Sequence, residues 1–402
     1  MSATTDPRLV QARTAPKRGI RLSWTDPKFR NIVYQVVIIG ALAALVAYLA
    51  RNTSRNLELQ HVATGFSFLG RTAGIPIGEA LIPYDPAVNT YGRAILVGLV
   101  NTLKVAVVGI VLSTILGTVI GIGRLSKNWL VAKITAVYVE TVRDIPVLLQ
   151  LLLWYTLLQG LPAPRQAIHV GGALFLSNRG LKLPLLDWQP AHSWALGAFL
   201  IGLAGTLAWN RAALRRRDET GVKPAVWPAA IGLLVGLPTL VWAALGAPFT
   251  IDYPALKGFN FVGGGLISPE YFALLIGLTI YTAAYIAEIV RSGIEAVPKG
   301  QWEAAGALGL RPSAVLRTVV LPQAIRVVIP PMTSQYLNIT KNSSLAVAIG
   351  FQDVVSLSQT TLNQTGQAIE GVAIVMAVFL SISLSISLFM NWYNARIALT
   401  ER

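Results

Sequence analysis

The sequence predicts an all-α, polytopic membrane helix bundle of about eight spans. Three observations carry that prediction. The 402 residues are 54% hydrophobic and only 13% charged, with a mean hydropathy of +0.58, whereas a soluble domain carries roughly 25% charged residues. Long, predominantly apolar runs recur along the chain at the length of about 20 residues that a helix needs to cross a 30 Å hydrocarbon core. The Lys and Arg residues, which give a net charge of +15, sit between those runs rather than on one basic face, as the positive-inside rule requires. A nucleic-acid partner is therefore not expected.

The N-terminal 1–30 precedes any apolar run and contains Arg8, Arg13, Lys17, Arg18, Arg21, Lys28 and Arg30. It is too long and too charged for the n-region of a cleaved signal peptide and reads as a cytoplasmic tail. The apolar runs follow at 31–50, 94–123, 130–158, a shorter 193–210, then 226–246, 270–292 and 367–392. The stretch 324–349 holds Pro330, Pro331, Asn338, Lys341 and Asn342, and hydropathy alone does not decide whether it crosses. In lipid every backbone group must be paired internally, so runs of this length are helices.

Loop charges orient the spans. Starting from a cytoplasmic N-terminus, Arg124 and Lys127 fall inside, as do Arg211, Arg215, Arg216, Arg217 and Lys223, and then Lys299, Arg311 and Arg317. The segment 350–366, assigned outside, has neither Lys nor Arg. If 324–349 crosses, Arg396 and Arg402 also fall inside, and eight spans with both termini cytoplasmic is the consistent count. Gly117-x-x-x-Gly121 and Gly232-x-x-x-Gly236 are small-residue pairs of the kind that lets helices approach closely.

The inside segment after the sixth span, 295–323, carries the most informative pattern. An Ala-rich helix is predicted from Gln301, with Glu303 in its first turn, ending at Gly309. Pro312 suits the first turn of a second helix, which Pro322 is expected to end. The pattern is Glu303-Ala304-Ala305, three residues, Gly309, nine residues, Val319, one residue, Leu321-Pro322. It resembles the EAA loop of ABC importer permeases, whose coupling helix docks in a groove of the ATPase subunit.

Flanking segments narrow the resemblance to the polar amino-acid permease family (histidine, glutamine, glutamate, arginine and opine importers). They are Tyr285 through Gln301, Glu140-Thr-Val-Arg143-Asp144-Ile-Pro146 through Gln150, and Lys341-Asn342-Ser343-Ser344-Leu345. Asp144 stands where that family usually has Gly, and Asn342 and Ser343 stand in place of Asp and Thr. The resemblance implies a type I importer (MetI-like) permease core of five spans in 94–160 and 262–395, and it implies that 324–349 crosses. The remaining spans are an extra one at 31–50 and two in an insert, 161–261. An insert of that kind resembles the larger permease subunit of the general L-amino-acid importers, the Aap/Bzt type.

Charges within spans are costly and normally pair or face an interior cavity. Glu140 and Arg143, together with Lys341, Asn342, Ser343 and Ser344, are the candidate translocation-path residues. The alternative is that Glu140 and Arg143, three apart on one helix face, form a structural ion pair. Glu288 and Arg291 repeat that spacing and read as a structural pair. Lys104 and Glu370 are expected to snorkel toward the interface.

No catalytic constellation is visible, and the chain is not expected to be an enzyme. His61, His169 and His192 lack metal-ligand spacing, there is no cysteine, and no Lys precedes Ser or Thr as a Walker A loop demands. No cofactor or metal is expected on this chain, with ATP and Mg on a partner ATPase. The resemblance implies a multi-pass permease subunit in a bacterial inner membrane that imports L-amino acids by alternating access. Its implied partners are ABC ATPase subunits, a second homologous permease, a periplasmic amino-acid-binding protein, the amino acid itself and membrane lipid. A permease for another small polar solute and an ion-coupled secondary transporter are the alternatives.

Overall fold

The computed structural model describes residues 24, 27–59, 64–171, 173–222 and 224–397. Most of the expected tail, including Arg8 through Arg21, and also His61, Lys223 and Arg402, lie outside the described residues. The described residues form a helix bundle, and among them seven helical segments are long and apolar enough to cross a membrane. Helix α1 (Pro27–Leu59) is exposed along its apolar window. The bundle is built around α2 (Tyr91–Arg124) and α8 (Pro269–Glu295), which pack against each other and are joined by α3 (Trp129–Asp144), α4 (Val147–Gln159) and α11 (Leu321–Asn342). Helices α12 (Val354–Thr365) and α13 (Ala368–Ile397) close the remaining side.

Small residues decide the central contact. A Cβ added at Gly117 would meet the Ile286 Cβ at 2.6 Å and the Ala283 carbonyl at 2.8 Å, and one at Gly121 would meet the Ala287 carbonyl at 2.6 Å. Gly117-x-x-x-Gly121 therefore lets the α2 and α8 backbones approach closely. We expect Gly121→Leu to cost about 1–3 kcal/mol through overpacking, read as a lower thermal midpoint of the detergent-solubilised protein. The second pair behaves otherwise. Nothing lies within 4 Å of a Cβ at Gly232, and only the Ile231 carbonyl, 4.0 Å away, approaches one at Gly236. A side chain at either position would meet no other helix; the close approach falls at Gly202 instead, against the Leu233 carbonyl.

Prolines explain where helices depart from the apolar runs. The run 130–158 is not one helix: it divides at Ile145, which is extended, because a residue before proline is pushed out of the helical region. The buried Gln150 then donates from Nε2 to the Val142 and Ile145 carbonyls, both at 2.9 Å, satisfying acceptors that the broken helix would leave bare. Pro322, expected to end a helix, does not. The chain runs through α10 (Pro312–Val315), a π-helical turn at Leu316–Val320 and on into α11. The same device precedes Pro238, with a π turn at Gly232–Gly236 between α6 (Trp227–Ile231) and α7 (Leu237–Ala244). Proline lacks the N–H and clashes with the carbonyl four residues back; the wider turn accommodates both. Helix α11 also continues through Pro330 and Pro331, and 312–349 forms one of the seven apolar segments.

The insert contains α5 (Pro190–Thr220), which packs on α7, and short antiparallel strands that hydropathy did not reveal. Strands β1 (Ile168–Val170), β2 (Leu174–Ser177), β3 (Gly180–Leu183) and β8 (Gly265–Ile267) form one sheet in that order. β4 (Leu185–Leu186) pairs with β5 (Ile251–Asp252), and β6 (Ala255–Lys257) with β7 (Asn260–Val262). His192 closes a capping box with Gln189 at the start of α5, and His169 pairs across β1–β2 with Phe175, so each has a structural role.

These strands, the 66–90 segment and the 350–353 corner gather at one end of the bundle, the hairpin end; α8 runs from there to α9 (Lys299–Ala307) at the other. Lys104 and Glu370 do not snorkel. Lys104 Nζ pairs with Glu79 at 3.0 Å and lies over the Tyr271 ring. Glu370 is 9% exposed and accepts the Gly65 N–H. A paired or hydrogen-bonded charge has less to gain from the interface.

Asp353, fully buried, caps α12 by accepting the Ser356 N–H at 2.8 Å, while its second carboxylate oxygen has no partner. Burial outweighs the stabilising backbone N–H groups and pushes its pKa up to about 7 from the ordinary 3.8. Since the folded value exceeds the unfolded one, the fold binds the proton more tightly. Stability from this group is therefore fully present at low pH and falls as pH rises from about 4 to about 7. We expect Asp353→Asn, which keeps the capping oxygen, to flatten that part of the thermal-midpoint-versus-pH curve and to raise the midpoint at pH 8.

Candidate functional site

At the end of α8 the chain turns through Ala296–Pro298 into α9. Pro298 occupies the N-cap position, so α9 starts at Lys299, two residues earlier than expected. Glu303 consequently lies in the second turn, where the helix dipole contributes little. The helix ends at Ala307, and Gly309 follows in the left-handed region (φ +74°) with its N–H donated to the Gly306 carbonyl. A Cβ there would meet nothing, so the glycine is needed for its backbone conformation rather than for space.

Packing splits the Glu-Ala-Ala triplet. Ala305 is 4% exposed and sits in a small core with Val297, Val315, Val320 and Ala324. Glu303 and Ala304 face outward. Leu308, 80% exposed, together with Trp302 and Leu310, adds exposed apolar surface to the same loop. Gln323, two residues after Leu321, ties the base of the loop down: its Nε2 donates to the Val319 carbonyl at 2.9 Å and to Gln301 Oε1 at 3.4 Å. Leu321 is half-buried and Pro322 exposed. The arrangement is a short helix held by a local core on one side and bare on the other.

A four-residue charge cluster lies nearby. Glu288 accepts from Arg291 on the next turn of α8, with the Nε contact at 3.2 Å, and from Arg124 at the end of α2; Arg291 also reaches Glu295. The Glu288–Arg291 pair is thus half of a clamp between α2 and α8. Sequence spacing showed only the intrahelical half. In the sequence Arg124 reads solely as a loop charge, although it stands at the same end of its helix as Glu288.

The candidate path residues are not brought together. Glu140 and Arg143 are both exposed and form no ion pair with each other; Arg143 instead lies 5.1 Å from the centroid of the Tyr285 ring. Lys341 and Asn342 end α11 at the hairpin end. Ser343 and Ser344 bond back to the carbonyls of Thr340 and Lys341, both at 2.7 Å, which satisfies their hydroxyls locally. The sequence carries no signal that pairs Tyr285 with Arg143.

A multi-helix bundle of this hydropathy, with a short helix braced at one end, is a polytopic membrane protein. The sequence pattern described as "Binding-protein-dependent transport system inner membrane component" matches residues 229–399. The chain is 50% identical over 396 residues to the general L-amino acid transport system permease protein AapQ of Rhizobium johnstonii, covering 97% of this chain and 98% of that one. It is 48% identical to the putative amino-acid ABC transporter permease protein YhdX of Escherichia coli, covering 95% and 97%. It is 42% identical to the glutamate/glutamine/aspartate/asparagine transport system permease protein BztB of Rhodobacter capsulatus, covering 98% and 100%. The chain belongs to the family of binding-protein-dependent transport system inner membrane components, the permease subunits of ABC importers.

Proposed function

We propose that this permease imports L-amino acids across a bacterial inner membrane, with both termini and α9 on the cytoplasmic side and the hairpin end outside. In this reading a periplasmic binding protein delivers the amino acid at the hairpin end. A second homologous permease completes the pathway, and ATPase subunits carrying ATP and Mg engage α9. The substrate class rests on the amino-acid permeases that match the chain over nearly its whole length. The observation that carries the mechanism is the asymmetry of α9. One face is cemented to α11 through Ala305, and the other presents Glu303, Ala304 and Leu308. A lever needs both a rigid attachment and a free docking face, because a partner shifts a two-state equilibrium only through contacts that differ between the states.

Among the described residues, no His, Cys, Asp or Glu grouping could hold a metal. Expected domains are a tail at 1–30, the extra span 31–50, core segments 94–160 and 262–395, the insert 161–261 and the coupling loop 295–323.

The test is co-purification from native membrane of the wild-type chain and of a Glu303→Lys, Gly309→Trp variant. Wild type should retain an ATP-binding subunit, and the variant should lose it. Uptake of labelled amino acids, with a sugar and a dipeptide as comparison solutes, then tests the substrate class. Wild type without an associated ATPase overturns the coupling reading.

A further inference from the structure

At the hairpin end, a cavity of about 450 Å³ lies between the 78–79 segment, α2, the start of α8, the β2–β3 turn and the 350–352 corner. That volume suits a small ligand. Its floor is fixed by internal bonds. Glu79 has both carboxylate oxygens engaged, one by Lys104 at 3.0 Å and the other by the Ser268 N–H at 2.7 Å. Gln352 is bonded to the Gly78 N–H and the Pro76 carbonyl.

Asn101, only 1% exposed, lines the cavity and donates both Nδ2 hydrogens, to the carbonyls of Glu79 and Gln352, each at 2.9 Å. That double donation fixes the amide orientation and leaves Oδ1 as a buried acceptor without a partner. Asn178 Oδ1, from the β2–β3 turn, is a second buried acceptor in the same state. Glu270 spends one oxygen on the Tyr155 hydroxyl at 3.3 Å, and its other oxygen makes no hydrogen bond among the described residues. One cation completes the lining: Arg179, whose guanidinium forms no ion pair among the described residues.

Buried acceptors without donors are costly, by about 1–3 kcal/mol each; two of them belong to residues that line the same cavity as Glu270, a set that suits a ligand rich in N–H donors. We propose that this cavity is an outer reception site for a free α-amino acid zwitterion. Its ammonium group is received by Asn101 Oδ1, Asn178 Oδ1 and Glu270, and its carboxylate by Arg179. The inference rests on the amino-acid import reading above. It adds a role for the insert: Asn178 and Arg179 come from 161–261, so a permease core without the insert would lack the carboxylate-binding half.

The experiment uses the permease purified with its ATPase in lipid nanodiscs, with no binding protein and no nucleotide. The probe is the labelled L-amino acid that wild-type vesicles import fastest from a panel. If none is imported, the import reading itself fails. If one is, equilibrium dialysis should show saturable binding of that amino acid. Its N-acetyl derivative and its α-amide should each compete at least about tenfold less well, about 1.4 kcal/mol. Arg179→Ala and Glu270→Gln should each weaken binding about tenfold, and Arg179→Lys should restore part of the loss. If the Ala variant does not assemble with its ATPase, Arg179→Lys and Glu270→Gln decide alone. The proposal is overturned by import without saturable binding, by binding unchanged in the variants that assemble, or by an N-acetyl derivative that competes as well as its parent.

Discussion

Ala304→Phe should abolish transport while leaving the permease as stable as wild type, whereas Ala305→Phe should destabilise the protein. The two residues are adjacent and chemically identical, and only their burial separates them. Ala305 lies against Val315, Val320 and Ala324. A phenyl ring there must displace that core or lift α9, at a cost of about 1–3 kcal/mol or more. Ala304 faces solvent, where a larger side chain changes stability by no more than about 0.5 kcal/mol. On a docking face, however, it would hold a partner's groove away. Losing a well-packed contact of that kind costs roughly 2 kcal/mol or more, enough to lower association about thirtyfold. Thermal midpoint, ATPase co-purification and labelled-substrate uptake should therefore fall together for Ala305→Phe, and only the last two should fall for Ala304→Phe. Full uptake by Ala304→Phe would remove α9 from the coupling reading.

That contrast shows what the sequence does and does not disclose. The helices of α2, α8 and α13 were legible because about 20 consecutive apolar residues have few alternatives in a bilayer. The break at Ile145–Pro146 was not, because hydropathy averages across a proline: the strongly apolar Val147–Gln159 carries the more polar stretch before it, with Lys133, Glu140, Arg143 and Asp144, into one run. The π turns before Pro238 and Pro322 escaped for a related reason: proline marks a disturbance in a helix without saying whether the helix ends or widens. Strands such as β1 and β4, two or three residues long, are shorter than any periodicity can register. The spacing of the EAA-like loop was visible, but the opposite burial of Ala304 and Ala305 depends on α10 and α11, which fold back from later in the chain. Glu79 had no signal at all. It is one carboxylate in an irregular segment between Ile77 and Leu81, and only the tertiary fold brings it to Lys104 and Ser268.

Glu288 is where a sequence-visible pair proves to be part of a larger unit, and its removal should have the second large effect. Glu288 receives Arg291 from its own helix and Arg124 from α2. Its side chain is 27% exposed and that of Arg124 16%. Glu288→Leu leaves two guanidinium groups facing each other with Glu295 as the only remaining carboxylate of the cluster. Losing one partner of a largely buried pair costs about 3–5 kcal/mol. Residual exposure and the surviving Arg291–Glu295 contact place the expected loss toward the lower figure. The α2–α8 contact, already set by Gly117 and Gly121, loses its electrostatic clasp at the end nearest α9. A double-mutant cycle isolates that clasp. Arg124→Leu in the Glu288→Leu background should recover part of the thermal midpoint, because it removes the stranded charge. The same change should cost more in wild type, where it breaks a satisfied pair. If Arg124→Leu lowers the midpoint equally in both backgrounds, the two residues do not interact energetically and α2 and α8 are held by helix packing alone.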